Sequence, residues 1–383
     1  LSFYEFDGSK ADELPSQIAE PPADGRIRKV ALVTACGLGR CSMTTMQQEA
    51  VPIVATADEA IARKRPPKTR LDRLLSQPES GVVIAAVLVY VFFAFFAPHF
   101  FSDRVTSNIL LSSATLGIIA VGVATLMIAG QFDLSVGSVY GLSGAIVVLC
   151  VNAGVPGWLA LPIIIVFGLL IGSINGYLVT KLGIHSLIIT LGSLMFYRGV
   201  LLAITEGFPI RLKTPDPFLS ALDFVWLGIP GPFFWFLGLV LVFAFIMTCT
   251  RFGGWLYATG GLPEAARGMG VPVERIQIVA FAIASMLACV SGYVSVARFS
   301  SVDALRGQGF ELEVILAVVV GGASLSGGYG SIIGAALGVL IIGMIQQGLI
   351  LIGISVYWYQ AGIGLLLIAA AVINQRVRVR TTQ

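Results

Sequence analysis

From Gly81 to near the end of the chain, apolar residues run with little interruption, and the breaks are Gly, Pro and short charged clusters. A helix rises 1.5 Å per residue, so about 20 apolar residues cross a bilayer core. Cutting at the breaks predicts spans over roughly 81–97, 106–129, 134–151, 158–180, 186–204, 231–250, 274–296, 310–323, 331–350 and 356–374. The third run is rich in Gly and Ser, and the eighth is short. Either can be a broken or re-entrant segment, which a bilayer tolerates only where protein or a water-filled cavity covers it. The predicted fold is all-α: a polytopic transmembrane helical bundle of about ten spans occupying residues 76–375.

Lys and Arg accumulate on cytoplasmic loops. Placing both termini in the cytoplasm puts Arg63, Lys64, Arg65, Lys68, Arg70 and Arg73 inside, with Lys181, Arg251, Arg267, Arg275, Arg376, Arg378 and Arg380. The outside then holds only Arg104, Arg211, Lys213, Arg298 and Arg306. A miscount by one span mixes these groups. Residues 1–75 are mixed in charge, with no span-length apolar run, and are expected to form a cytoplasmic tail of unassigned role, disordered or foreign to the rest. Residues 376–383 form a short basic cytoplasmic tail.

Composition agrees with the pattern. Of 383 residues, 56% are hydrophobic and 12% charged, about half the charged share of a soluble domain. The mean hydropathy is +0.90. A net charge of +3 gives no basis for nucleic-acid binding. The five Cys have no metal-ligand spacing, only two His are present, and no Walker A loop, HExxH or nucleophile elbow occurs. No enzyme activity, cofactor or metal is therefore expected of this chain.

Polar groups inside apolar runs are costly, so each is a candidate for the transport pathway. Asp133 and Ser135 open the third run in "QFDLSVGS"; the alternative for Asp133 is a helix cap at the interface. Asn175 in "GSINGYL" is placed to make an interhelical hydrogen bond. Tyr197 and Arg198 lie near the outer end of the fifth run, where Arg198 either meets a passing hydroxyl or reaches outward to water. On the outside, "TEGFPIRLKTPDPF" with Arg211 and Lys213 reads as an ordered surface loop, either a docking face or a connector carrying the interfacial anchor Trp226. Asp303 and Glu311 join it as docking candidates, while Glu311 and Glu313 also favour the dipole of the helix they open. "GGASLSGGYGSIIG" reads as a tight cytoplasmic turn with close helix packing; no Lys follows it, as a phosphate cradle requires.

Between the sixth and seventh runs lies a polar island, "GGLPEAARGMGVPVERI". Pro263 suits a first helical turn, Glu264 follows at the positive end of the dipole, and Gly268 and Gly270 let the chain turn out. Ala265, Ala266 and Met269 give a small apolar face. A two-turn helix is unstable alone in water, so this one needs a partner.

"EAARGMG" resembles the EAA loop of ABC-importer permeases. With "GQFDLSVGSVYGLSGAI", "NGYLVTKLGIHSLIITLGSLMFYRG", "YATGGLPEAARGMGVPVERI" and "AVVVGGASLSGGYGSIIGAALG", the chain resembles the ribose/xylose-type permease family over residues 80–375. The resemblance implies a multi-pass inner-membrane subunit working as a homodimer by alternating access. Its implied partners are a cytoplasmic ATPase and a periplasmic sugar-binding protein, and its implied cargo is a monosaccharide or sugar alcohol. Glu264, Ala265, Ala266, Arg267, Gly268 and Gly270 would then form the coupling helix seated in the ATPase. Gln131 and His185 depart from the residues expected in many relatives, which bears on the choice of sugar. An ion-coupled secondary transporter of a small polar solute is the alternative.

Overall fold

The computed structural model describes residues 80–355 and 357–368, all within the unit Thr69–Gln383. Both predicted tails lie outside the described residues. The helices are α1 (Ser80–Phe96), α2 (Asp103–Ile128), α3 (Val136–Asn152), α4 (Gly157–Leu182), α5 (Ser186–Thr205), α6 (Pro217–Leu222), α7 (Gly231–Cys249), α8 (Arg251–Gly261), α9 (Pro263–Gly268), α10 (Val273–Phe299), α11 (Phe310–Val320), α12 (Ile332–Leu351) and α13 (Tyr357–Ile368). Short strands β1 (Ile210–Arg211), β2 (Val225–Trp226), β3 (Ile229–Pro230) and β4 (Ser301–Val302) form two antiparallel pairs, β1 with β4 and β2 with β3.

Each predicted apolar run coincides with a helix. Among the described residues, six helices (α2, α4, α5, α7, α10 and α12) are long and apolar enough to cross a membrane, while α1, α3 and α13 are shorter apolar helices. The last predicted run extends beyond Ile368, outside the described residues. Helix ends follow local chemistry. Ser102 caps α2, its Oγ accepting from Val105 N at 3.4 Å, and Ser331 caps α12 through Gly334 N at 3.2 Å. At its far end α4 stops at Gly183, with φ of +66°.

The centre of the bundle is α10, which packs along α4, α2 and α3. Lipid supplies no hydrophobic drive between helices, so close backbone approach and interhelical hydrogen bonds must hold them. On α4, Gly168, Gly172 and Gly176 recur every four residues and face α10. A methyl placed on Gly172 would stand 2.6 Å from Ala282 Cα, and one on Gly176 would stand 2.8 Å from Ile278 Cα. The stripe is therefore a contact between backbones. Hydroxyls secure the other faces of α10: Ser291 Oγ donates to Thr115 O of α2 at 2.7 Å, and Tyr293 OH donates to Gly157 O of α4 at 2.8 Å.

The helix ends gather in two sets. In one, β1 pairs with β4, Asn152 bonds Arg211 O and Lys213 N, and Asp216 accepts from Gly157 N. In the other, Gly328 N donates to Ile128 O and Tyr257 OH donates to Gly330 O. Residues 303–309 are not helical and descend alongside α3, since Gly141 faces Arg306 O and Gly137 faces Gly307 and Glu311. Only then does α11 begin, and α12 folds back on it where Gly334 and Gly338 meet Gly321 and Ala317.

Gly172→Leu is the sharpest test of this packing. Its side chain would have to displace the α10 backbone, and overpacking typically costs about 1–3 kcal/mol. The expected result is loss of folded protein from the membrane, read by fluorescence-detected size exclusion, whereas Gly192→Leu, at a position with open space, leaves folded abundance unchanged.

Candidate transport and coupling sites

Asp133 is fully buried in the turn between α2 and α3. Its Oδ1 accepts from Ser135 N at 2.8 Å and Ser135 Oγ at 2.6 Å, and its Oδ2 accepts from Ser285 Oγ of α10 at 3.4 Å. Ser135 Oγ accepts in turn from Asn175 Nδ2 of α4 at 3.2 Å, and Asn175 Oδ1 accepts from Ser193 Oγ of α5 at 2.7 Å. One hydrogen-bonded ladder thus joins α10, the turn before α3, α4 and α5. Hydroxyls and an amide serve this carboxylate, as a buried polar group demands.

Asn175, Ser193 and the half-buried Tyr197 also line a groove of about 780 Å³ between α3, α4 and α5. Its remaining wall is apolar, including Leu142, Phe167 and Phe196. Arg198, one residue beyond Tyr197, turns to residues 303–309: its guanidinium donates to Arg306 O at 2.9 Å and Ala304 O at 3.4 Å. Those carbonyls lack helical partners, and Arg198 supplies one from α5. Asp133, Ser135 and Asn175 are therefore brought together, with Tyr197 beside them, while Arg198 acts in a separate contact.

The candidate docking residues are dispersed. Arg211 and Lys213 are exposed beside the β1–β4 pair, and their backbone is ordered by Asn152. Asp303 is half-buried and accepts from Leu305 N at 2.8 Å. Glu311 is turned toward Gly137, and its Oε2 is buried with no hydrogen-bond partner among the described residues.

At the opposite set of helix ends, the polar island forms α9, six residues and so shorter than two turns. Ala266 is 1% exposed and anchors α9 inward, while Leu262 and Met269 are 72% and 75% exposed. Ala265, Glu264, Gly268 and Gly270 are exposed as well. Arg267 Nε pairs with Glu274 Oε1 of α10 at 2.9 Å, tying α9 to the helix that follows. Gly270, at φ +84°, makes the turn between them. The outward face is thus Leu262, Ala265 and Met269, with open space at Gly268.

Three features had no sequence expectation. Helix α8 lies between the sixth and seventh predicted runs, where no helix is expected before the polar island, although Gly253, Leu256 and Gly260 mark its buried face. Ser193 was legible, standing one turn before Tyr197 on the same helix face. Ser285 was not: it lies among other small residues of α10, and only the fold brings it to Asp133.

A family model described as the permease component of a branched-chain amino acid transport system matches residues 105–371. The chain is 33% identical over 305 residues to the ribose import permease protein of Escherichia coli (strain K12), covering 78% of this chain and 94% of that protein. It is 35% identical over 300 residues to the ribose import permease protein of Haemophilus influenzae, covering 77% and 93%. To the autoinducer 2 import system permease protein of Photorhabdus luminescens it is 34% identical over 301 residues, covering 78% and 90%. The chain belongs to the ribose-type family of ABC-importer permeases. The permease is accordingly a multi-pass protein of the bacterial inner membrane, and both the ladder and α9 fall inside the matched residues.

Replacing Asn175 by Ala leaves Ser193 without its acceptor and Ser135 without its donor. An unpaired buried group costs about 1–3 kcal/mol, and less where the membrane-inserted chain finds other partners. The permease should fold yet melt earlier in detergent, and Asn175→Gln should not restore the wild-type transition. An unchanged melting curve for Asn175→Ala would remove the ladder's structural role.

Proposed function

We propose that the permease translocates a monosaccharide or sugar alcohol by alternating access in a homodimer, with ATP bound and hydrolysed by a partner subunit. A periplasmic binding protein delivers the cargo to the outer loops, where the exposed Arg211 and Lys213 are the first docking candidates and the half-buried Asp303 and Glu311 stand behind them. The cargo then passes along the groove beside Asn175 and Tyr197, with Asp133, Ser135 and Arg198 holding its walls. The observation that carries this reading is α9. It is a short helix with exposed Leu262, Ala265 and Met269, pinned by Ala266 and by the Arg267–Glu274 pair to the start of α10. Such an exposed apolar tip on a rigid base suits a cleft in another protein.

ATP drives transport only if the partner binds it differently in the two conformations, since equal affinity shifts nothing. Helix α9 is the element through which that difference reaches the bundle. The sugar is favoured by the names of the relatives and by the neutral hydroxyl and amide groups at the groove. The proposed topology has about ten spans and cytoplasmic termini, with α9 inside and the β1–β4 pair outside.

One observation favours a second reading, ion-coupled transport: Asp133 is a buried carboxylate with no cation in hydrogen-bond reach among the described residues. Proteoliposomes holding permease, ATPase and binding protein separate the two. ATP alone should accumulate sugar. Uptake that requires a proton or sodium gradient and ignores ATP would establish the second reading.

In the same preparation, Ala265→Glu and Gly268→Leu should abolish ATP-driven uptake and co-purification of the ATPase, at normal permease abundance. A Cβ on Gly268 meets nothing within 4 Å among the described residues, so a loss at normal permease abundance points to the partner. An unpaired charge in an apolar contact costs about 3–5 kcal/mol, against about 0.5 kcal/mol for an ordinary surface change. Normal transport by both variants would exclude α9 as the coupling helix. For the topology, a single Cys at Asp216 in a cysteine-free permease should label from outside, and one at Arg267 should not. Equal or reversed labelling would refute the proposed orientation.

A further inference from the structure

Because residues 303–309 descend beside α3 before α11 starts, a wedge opens between that segment, α2 and α12. It forms a cavity of about 300 Å³, at the lower end of small-molecule sites. It shares no lining residue with the groove between α3, α4 and α5. The two are separate spaces.

Charged and polar side chains stand among apolar ones in its wall. Ser113 of α2 is 1% exposed and its Oγ has no hydrogen-bond partner among the described residues. Arg298, Arg306, Asp303 and Glu313 all face the cavity, yet the only ion pair among the described residues is Arg267–Glu274, elsewhere. The guanidiniums of Arg298 and Arg306 lie 4.6 and 4.5 Å from the centre of the Phe299 ring. That contact orients both forks, and Arg306 spends one donor on Ser295 Oγ at 3.1 Å. Gln346 of α12 adds an amide to the wall.

Two cationic and two acidic side chains face the same space, so neither a cation nor an anion is matched by the whole set. A neutral ligand with several hydroxyls meets the whole set. It donates to Asp303 and Glu313, accepts from the arginines, and does both with Ser113 and Gln346. We propose that this cavity is a second, outer binding site for a small neutral polyol, of the monosaccharide or sugar-alcohol class. The inference rests on the proposed cargo for the choice of class and extends it to a site outside the groove. Occupancy would join 303–309 to α2 and α12, so this site registers sugar at the outer face independently of passage through the groove.

The test is equilibrium binding of a panel of labelled monosaccharides and sugar alcohols to the permease–ATPase complex in nanodiscs, without ATP or binding protein. Saturable binding of one equivalent per permease chain is expected. Ser113→Val, which fills the space and removes the oxygen, and Gln346→Leu should each weaken it at least tenfold. Ser113→Ala guards against a folding defect and should weaken it in the same direction. Phe95→Leu, on the exposed face of α1, should leave it unchanged. No saturable binding of any panel compound, or binding indifferent to all three cavity variants, overturns the proposal. ATP-driven uptake of the same panel is measured separately with binding protein present. Its absence counts against the proposed cargo, while the binding result alone decides the cavity.

Discussion

The architecture depends on α4 and α10 meeting backbone to backbone. In water, burial of side chains could hold such helices apart at ordinary spacing; in lipid that drive is absent. The Gly168–Gly172–Gly176 stripe brings the α4 backbone against Ile278, Ala282 and Met286 of α10. That closeness fixes where Asn175 stands, one residue before Gly176 and fully inside the protein. The ladder from Ser285 through Asp133, Ser135 and Asn175 to Ser193 is a consequence of this contact, because none of these short side chains could span a wider gap.

The same arrangement connects the two ends of the molecule. Helix α10 begins at the α9 turn, held by Arg267 and Glu274, and its serines reach Asp133 and α2. Helix α5 packs mainly on α3 and is among the most exposed of the long helices. Besides its packing, it is tied by Ser193 to Asn175 and by Arg198 to the carbonyls of residues 303–309. A shift of α9 therefore has a short physical route to α5, through one helix and a few hydrogen bonds.

Much of this was legible in the chain. Long apolar runs between Gly and Pro locate the helices, because a bilayer leaves a buried backbone few other ways to satisfy its hydrogen bonds. Asp133, Ser135 and Asn175 stood out as polar groups in apolar surroundings, and the island at 260–276 stood out for the opposite reason. The missing parts are those set by three-dimensional approach. The Gly stripe has a visible four-residue period, but its partner helix does not follow from it. Ser285 lies 152 positions from Asp133 and looks like any packing serine. The cavity lining comes from several separate elements, so no local pattern announces it. In α9, sequence alone could not tell which Ala points inward; the fold assigns that to Ala266.

The central claim is that nucleotide on the partner ATPase moves α9 and, through α10, the helix that walls the groove. It is tested most directly by spin labels at Met269 and Met195, both exposed, in a cysteine-free permease assembled with ATPase and binding protein. Pulsed electron resonance then gives the distance distribution with and without a non-hydrolysable ATP analogue. The account predicts a distinct shift of that distribution on adding nucleotide, lost in Asn175→Ala while the ATPase stays bound. Identical distributions with and without nucleotide, in a complex that transports sugar, would contradict it.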